Sequence, residues 1–269
     1  MKLVIGSKGH QVKWLQQQLV NAGFALAVDG DFGANTQTAV FNYQVSHDLP
    51  PVGYAGKRTV DSLTNKHEPR SLTLSDISKA ASQLDVDTAS LCAVADVESQ
   101  GSGFFDNGKA VILYERHIFY RQVAATDQAQ ADALAERYPN LCNSKPGGYI
   151  GGVNEYSRLR NAARIDMDAA IEACSWGMFQ IMGMHWQLLG FASALAMSRA
   201  MNASEAEQLN ALVKFISADS KLHQALQQHK WSEFAKRYNG SNYQANSYDI
   251  KLARSYQQLA ALLKANGHE

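Results

Sequence analysis

The chain has 269 residues, with 25 basic against 25 acidic side chains, and its formal net charge is zero. Residues 1–66 run at +2 (6 basic, 4 acidic) and the remainder at −2 (19 and 21), so neither part carries the basic excess that a nucleic-acid binder uses to displace counterions from phosphates. With 46% apolar and 19% charged residues the sequence reads as a folded globule that grips any polymer by shape and hydrogen bonds, not by bulk charge.

In chain order, Val12, Leu15 and Leu19 recur at helical spacing after Ser7-Lys8-Gly9, predicting a first helix to about Ala22 that stops at Gly23. A turn-rich stretch, Asp29-Gly30-Asp31-Phe32-Gly33, leads to a second helix capped by Asn35 or Thr36 and carrying Ala39, Val40, Tyr43 and Gln44. Gly30-x-x-Gly33-x-x-Thr36 returns 23 residues later as Gly53-x-x-Gly56-x-x-Thr59, a faint repeat. Both glycines of each copy are expected to take unusual dihedrals beside a Thr that starts a helix, which makes a small three-helix domain.

The polar stretch that follows, with its one proline, reads as a linker. The expected organisation is a domain at 1–66, a linker at 67–74 and a larger domain at 75–269. Ser75 caps a predicted helix to about Leu84, and Asp87 caps another to Glu98. Further helical periodicity covers 116–137, 155–173, 204–217, 219–229, 231–238 and 247–265, while the Gly-rich segments 101–113 and 142–153 read as loops or short hairpins. No long alternating pattern exists, so the fold class is mostly α.

No run of about 18 apolar residues offers a membrane anchor. Only Leu3, Val4 and Ile5 stand between Lys2 and Gly6, too few for a secretory leader, so synthesis in the cytoplasm is expected. Cys92, Cys142 and Cys174 are odd in number without a CxxC pair, which favours buried free thiols.

Chemistry concentrates in three places. Leu91, Val94, Ala95 and Val97 give the helix ending at Glu98 a buried surface, and Gly101 and Gly103 follow directly. Burial and the negative end of the helix dipole both disfavour the Glu98 carboxylate, and a carboxyl kept protonated is what a general acid for glycosidic cleavage requires. In Ser175-Trp176-Gly177-Met178-Phe179-Gln180 the glycine permits close approach of backbone to a ligand, and Gln180 offers an amide to sugar hydroxyls. Arg237-Tyr238-Asn239-Gly240 ends a helix with a ring and an amide side by side.

Glu98-Ser99, Ser175-x-Gly177-x-x-Gln180 and Tyr238-Asn239-Gly240 together resemble the lysozyme superfamily, particularly goose-type lysozymes and lytic transglycosylases. With Ile112-Leu-Tyr-Glu115-Arg-His117 and Ser175-Trp-Gly-Met-Phe-Gln-Ile-Met, roughly residues 75–265 are similar to the N-acetylmuramidase domain of modular phage endolysins. Residues 1–63 are similar to the peptidoglycan-binding domain often found ahead of it, through Gly6-Ser-x-Gly9-x-x-Val12-x-x-Leu15-Gln16, Asp29-Gly-x-Phe32-Gly33-x-x-Thr36 and Ala39-Val40-x-x-Tyr43-Gln44. The second Asp-Gly position of that pattern reads Val52-Gly53, a loss of one turn hydrogen bond but not of the fold.

The resemblance implies a lysozyme-like α-helical catalytic domain that cleaves the β-1,4 bond between N-acetylmuramic acid and N-acetylglucosamine. Glu98 is the implied acid and Glu115 the second carboxylate, ahead of Asp106; Glu115 has a structural alternative as partner of Arg116 or Arg121. Ser175, Gly177, Gln180, Tyr238 and Asn239 are expected to line the glycan cleft, with Tyr114, Trp176 and Tyr243 as rings that either stack on sugars or pack in the core. Asp29, Phe32, Thr36 and Tyr43 are the implied wall-binding positions of the small domain.

A peptidoglycan partner, no nucleic acid, no membrane anchor, no cofactor, no metal and a monomeric state complete the expectation. The enzyme would wait in the host cytoplasm for holin-dependent release and then act from the periplasm. A zinc peptidase lacks support because no His-Glu-x-x-His or His-x-His exists, and the cysteines sit in apolar helical contexts that do not suit an amidase nucleophile. The remaining alternatives are a lytic transglycosylase acting on the same bond and a non-catalytic wall-binding protein.

Overall fold

The computed structural model describes residues 2–66, 68–98, 101–240 and 243–267; the side chain of Glu98 lies outside the described atoms. Helices α1 (His10–Asn21), α2 (Ala34–Ser46) and α3 (Lys57–Leu63) are followed by α4 (Leu74–Gln83) and α5 (Thr88–Glu98). Next come β1 (Ile112–Tyr114), α6 (Arg116–Thr126), α7 (Gln128–Arg137), α8 (Glu155–Ala163), α9 (Met167–Glu172), β2 (Cys174–Trp176) and β3 (Ile181–Met182). The rest is helical: α10 (Ala194–Ala203), α11 (Glu205–Ala218), α12 (Ser220–Gln227), α13 (Trp231–Asn239) and α14 (Tyr248–Ala265). The mostly α class expected from periodicity is the class adopted. The chain divides into two compact units, one formed by Met1–Gly101 with Ser220–Glu269 and the other by Ser102–Asp219.

In the first unit, α1 to α3 close over Leu3, Val12, Leu15, Leu19, Phe32, Val40 and Tyr43, with the N-terminal segment tied back by the Leu3–Ala55 bridge. The repeat read from the glycines is organised by two buried glutamines. Gln16 reaches from α1: its Oε1 accepts the Gly30 N–H at 2.8 Å, and its Nε2 is shared among the Thr36 hydroxyl (3.0 Å), the Asp31 carbonyl (3.0 Å) and Asp29 Oδ1 (2.8 Å). Gln44 repeats the clamp from α2, where Oε1 accepts the Gly53 N–H at 2.9 Å and Nε2 donates to Thr59 Oγ1 (2.9 Å) and the Tyr54 carbonyl (2.8 Å). Asp29 also accepts from the Asp31 N–H, a bond Val52 cannot make, and the second clamp stands without it.

The dihedrals correct one expectation. Only the first glycine of each copy is left-handed, Gly30 at φ +82° and Gly53 at φ +68°. Gly33 and Gly56 are extended (φ −90° and −98°) and are themselves the N-caps of α2 and α3, so neither Asn35 nor Thr36 caps α2. Elsewhere in this unit Thr73, not Ser75, caps α4, in a reciprocal capping box with Asp76. Asp87 caps α5 as expected, accepting the Ser90 N–H at 2.7 Å. Helix α5 buries Leu91, Cys92, Ala93 and Val94 and packs against α14 and α4. Asp96 on α5 accepts from Tyr54 Oη (2.7 Å) and Ser255 Oγ (2.9 Å), so it joins the second repeat loop to α14.

The second unit holds an antiparallel sheet of order β1-β2-β3, with Tyr114 opposite Cys174 and Ser175 opposite Met182. The continuous periodicities at 116–137 and 155–173 are each two helices, because Asp127 and Asp166 cap new ones by accepting the N–H groups of Gln130 and Ala169. Helix α10 falls where no helix was expected, started by the Ser193 cap. Cys92, Cys142 and Cys174 are free and buried, as read from their count.

Replacing Gln44 with alanine strands the Gly53 N–H and the Thr59 hydroxyl, and unmet buried groups cost about 1–3 kcal/mol each. Gln44→Ala should therefore destabilise the small domain by about 2–4 kcal/mol in urea unfolding. A change under about 0.5 kcal/mol would contradict the clamp.

Candidate functional site

Glu115 sits where β1 turns into α6, its backbone N–H held by the Ala173 carbonyl at 2.8 Å. The carboxylate is half-buried, and one of its oxygens holds its one hydrogen bond among the described residues. Tyr149 Oη donates to Oε2 at 2.7 Å, and His117 Nδ1 lies 3.2 Å from the same oxygen. Oε1 is left without a protein donor among the described residues. Burial and the Glu115 bond push the Tyr149 phenol up to about 12, so it remains a donor throughout the neutral range.

Tyr149 belongs to a loop with little secondary structure, and two arginines fix that loop through its carbonyls. Arg116, one of the two cations weighed as a Glu115 partner, donates instead to Pro139 (2.9 Å), Lys145 (3.0 Å) and Pro146 (2.9 Å). Arg158, from α8, donates to the Asn140 carbonyl through Nη2 (2.7 Å) and Nε, and through Nη1 to the Tyr114 carbonyl at 2.8 Å. Its guanidinium also pairs with Glu155 at 2.8 Å, both side chains being buried. The other Glu155 oxygen accepts the N–H groups of Ile150 (2.7 Å) and Gly151 (2.9 Å). Burial works against the Glu155 charge, but these N–H donors and Arg158 more than offset it and hold the carboxyl below its ordinary range. Tyr149 thus stands directly before an anchored Ile150, and its reach to Glu115 is set by the fold.

Ser175, Gly177 and Gln180 form one cluster. Ser175 Oγ donates to Gln180 Oε1 at 2.7 Å, and Gln180 Nε2 donates to the Gly177 carbonyl at 2.8 Å. Gln180 is exposed and left-handed (φ +50°), so the pinned amide still presents one N–H and one lone pair outward. The close approach at Gly177 is made by protein: a Cβ there would lie 2.4 Å from the Gln208 amide carbon. That glutamine accepts the Met178 N–H at 2.6 Å and donates to the Met201 carbonyl at 2.8 Å, seating the loop on α11.

In the first unit, the backbone of Glu98 closes α5; its side chain and the following Ser99 and Gln100 are outside the described residues. Tyr238 and Asn239 form the last turn of α13, half-buried, with Tyr238 stacked on Phe234 and Gly240 (φ +79°) ending the helix. Among the expected wall-binding positions, Phe32 and Tyr43 are in the core and Thr36 is buried beneath Gln16, leaving Asp29 at the surface. Tyr114 and Trp176 are core residues whose polar tips donate to the carbonyls of Leu141 and Ile171. Asp106 is exposed. Burial pushes the Cys92 thiol up to about 12 and Cys174 well up, which makes poor nucleophiles of both. Among the described residues no group of three His, Cys, Asp or Glu is placed to hold a metal ion.

Tyr149, Arg158 and Glu155 were not read from the sequence as site residues. An arginine three positions after a glutamate on a helix looks like an ordinary surface pair, and Tyr149 sat in a stretch legible only as glycine-rich.

The fold and this site have the parts of a lysozyme-type glycoside hydrolase. A family model described as N-acetylmuramidase matches residues 87–260, and a peptidoglycan binding domain model matches residues 8–63. The chain belongs to the N-acetylmuramidase family and is a peptidoglycan-hydrolysing enzyme of modular build. It is similar to the Burkholderia AP3 phage endolysin: that crystal structure matches with a TM-score of 0.93 at 46% identity, covering 97% of this chain and 100% of the other. No curated protein matches. Among the described residues no helix is long and apolar enough to cross a membrane.

The depressed Glu155 carboxyl sets a pH dependence. Its stabilisation is present above the ordinary value of 4.5 and is lost as pH falls through the lower folded value. Removing one partner of a buried pair costs about 3–5 kcal/mol, so Glu155→Gln should lower Tm most at neutral pH, with the gap narrowing below about pH 4. A gap constant from pH 3 to 7 would contradict this assignment.

Proposed function

We propose that the protein hydrolyses the β-1,4 bond between N-acetylmuramic acid and N-acetylglucosamine, with Glu98 as general acid. The observation that carries this reading is the muramidase match, which spans Glu98, Glu115, Ser175–Gln180 and Tyr238–Asn239 in a single stretch. Glu98 gives its proton to the glycosidic oxygen as the bond to C1 of the muramic acid breaks. Water then adds at C1, giving up a proton to Glu115, whose Oε1 is presented to it because Tyr149 occupies Oε2. Gln180, pinned by Ser175 and Gly177, meets sugar hydroxyls with its outward amide, and Tyr238 and Asn239 are further glycan contacts in this reading. Tyr149 is a positioning residue, acting through Glu115.

In this reading the enzyme is a monomer that stays in the host cytoplasm until a holin opens the membrane, and then lyses the cell by cutting its wall from the periplasm. The kinship with a phage endolysin supports that setting.

Loss of a general acid costs about 10²–10⁴-fold, so Glu98→Gln should lower turnover on purified sacculi by that factor with folding intact. More than about a tenth of wild-type turnover would overturn the role. Mass spectrometry of the digest should show reducing-end muramic acid; 1,6-anhydro ends would replace hydrolysis by transglycosylation.

A second expectation concerns Tyr149→Phe, which frees the carboxylate to rotate. We expect kcat to fall about 10-fold with KM and Tm unchanged, since a misplaced group costs rate more than binding. In a Glu115→Gln background the same change should do nothing further. A full 10-fold loss there too would disconnect Tyr149 from Glu115.

A further inference from the structure

The small domain carries two adjoining cavities outside its core. One, of 440 Å³, lies between the irregular segment after α1 and one face of α2, lined by Phe24, Leu26, Asn35, Thr38, Ala39 and Asn42. The other, of 310 Å³, continues past Leu26 and Asn35 to Asp29, Asp31 and Gly33. Asn35, Thr38, Ala39 and Asn42 are spaced i, i+3, i+4 and i+7, so they form one stripe along α2 facing Phe24 and Leu26.

Two features of this groove are unsatisfied by the protein. The backbone of residues 25–28, which borders it, enters no hydrogen bond among the described residues. Asn42 Oδ1 is shielded from solvent and has no hydrogen-bond partner, which costs about 1–3 kcal/mol.

From this geometry we infer that the groove is the wall-binding site of the small domain and that it takes the N-acetylated sugars of the glycan strand, not the peptide stems. The inference rests on the family reading of residues 8–63 as a peptidoglycan binding domain. Its chemistry suits an acetamido group: Phe24, Leu26 and Ala39 receive the methyl, while the Asn35 and Asn42 amides, the Thr38 hydroxyl and the free backbone meet the amide and ring hydroxyls. No Lys or Arg lines either cavity, so a stem carboxylate entering the groove finds no cation among its lining residues; Asp31, at one end, is already paired with Lys8 at 2.8 Å.

The test is a ¹⁵N spectrum of the full chain titrated with chitotetraose (four N-acetylglucosamine units), and separately with a free stem tetrapeptide. The sugar should shift the amides of residues 25–28 and 35–42 and the side-chain amides of Asn35 and Asn42, and the peptide should not. The double variant Asn35→Ala/Asn42→Ala, checked for an unchanged core spectrum, should bind sacculi at least about 10-fold more weakly, the equivalent of about 1.4 kcal/mol. Sugar shifts confined to other faces of the domain, or groove shifts caused by the peptide, would overturn the inference while leaving the domain a wall binder. If neither probe nor solubilised peptidoglycan moves any resonance within residues 8–63, the family reading itself fails for this chain.

Discussion

The buried pair of Arg158 and Glu155 is the interaction on which the second unit's site depends. Neither charge would be tolerated alone, since an unpaired ion in the interior costs several kcal/mol. Each is instead surrounded by the loop that it organises: Arg158 holds the Asn140 and Tyr114 carbonyls, and Glu155 holds the N–H groups of Ile150 and Gly151. The loop lacks strands or helices to satisfy its own backbone, and the ion pair supplies that satisfaction from α8. Arg116, from α6, adds three more carbonyls. Tyr149, and through it Glu115, inherits a fixed position from this arrangement.

The small domain solves the same problem without charge. Gln16 and Gln44 each present an acceptor and a donor to a turn that begins with a left-handed glycine, and each ends on a threonine hydroxyl at the start of the next helix. Gln208 plays the corresponding part beneath Gly177 and Met178. In all three places a helix lends a buried side chain to an irregular segment, so rigid helices determine where loop atoms stand. Each of these segments thereby keeps its shape without regular structure of its own.

Much of this was legible in the residues. The doubled Gly-x-x-Gly-x-x-Thr spacing disclosed the three-helix domain, and helical periodicity located nearly every long helix. The motifs around Glu98, Ser175–Gln180 and Tyr238–Asn239 pointed to the right family. What stayed hidden has physical causes. Asp127 and Asp166 restart helices without interrupting the apolar period, so each pair read as one helix. Gln16 and Gln44 lie mid-helix, where glutamine is ordinarily a solvated residue, and only the turns they serve make them structural. Glycine spacing disclosed the repeat but not which glycine is left-handed, because an extended helix cap also favours a residue without a side chain.

The claim that a buried ion pair shapes the site loop is tested most directly by amide hydrogen exchange at Ile150 and Gly151. Both N–H groups lie in an irregular segment, so any slow exchange must come from their bond to Glu155. We predict strong protection of both in the native protein and its loss in Arg158→Met, with the amides of α8 still protected. Fast exchange of Ile150 and Gly151 in the unaltered protein would contradict the account.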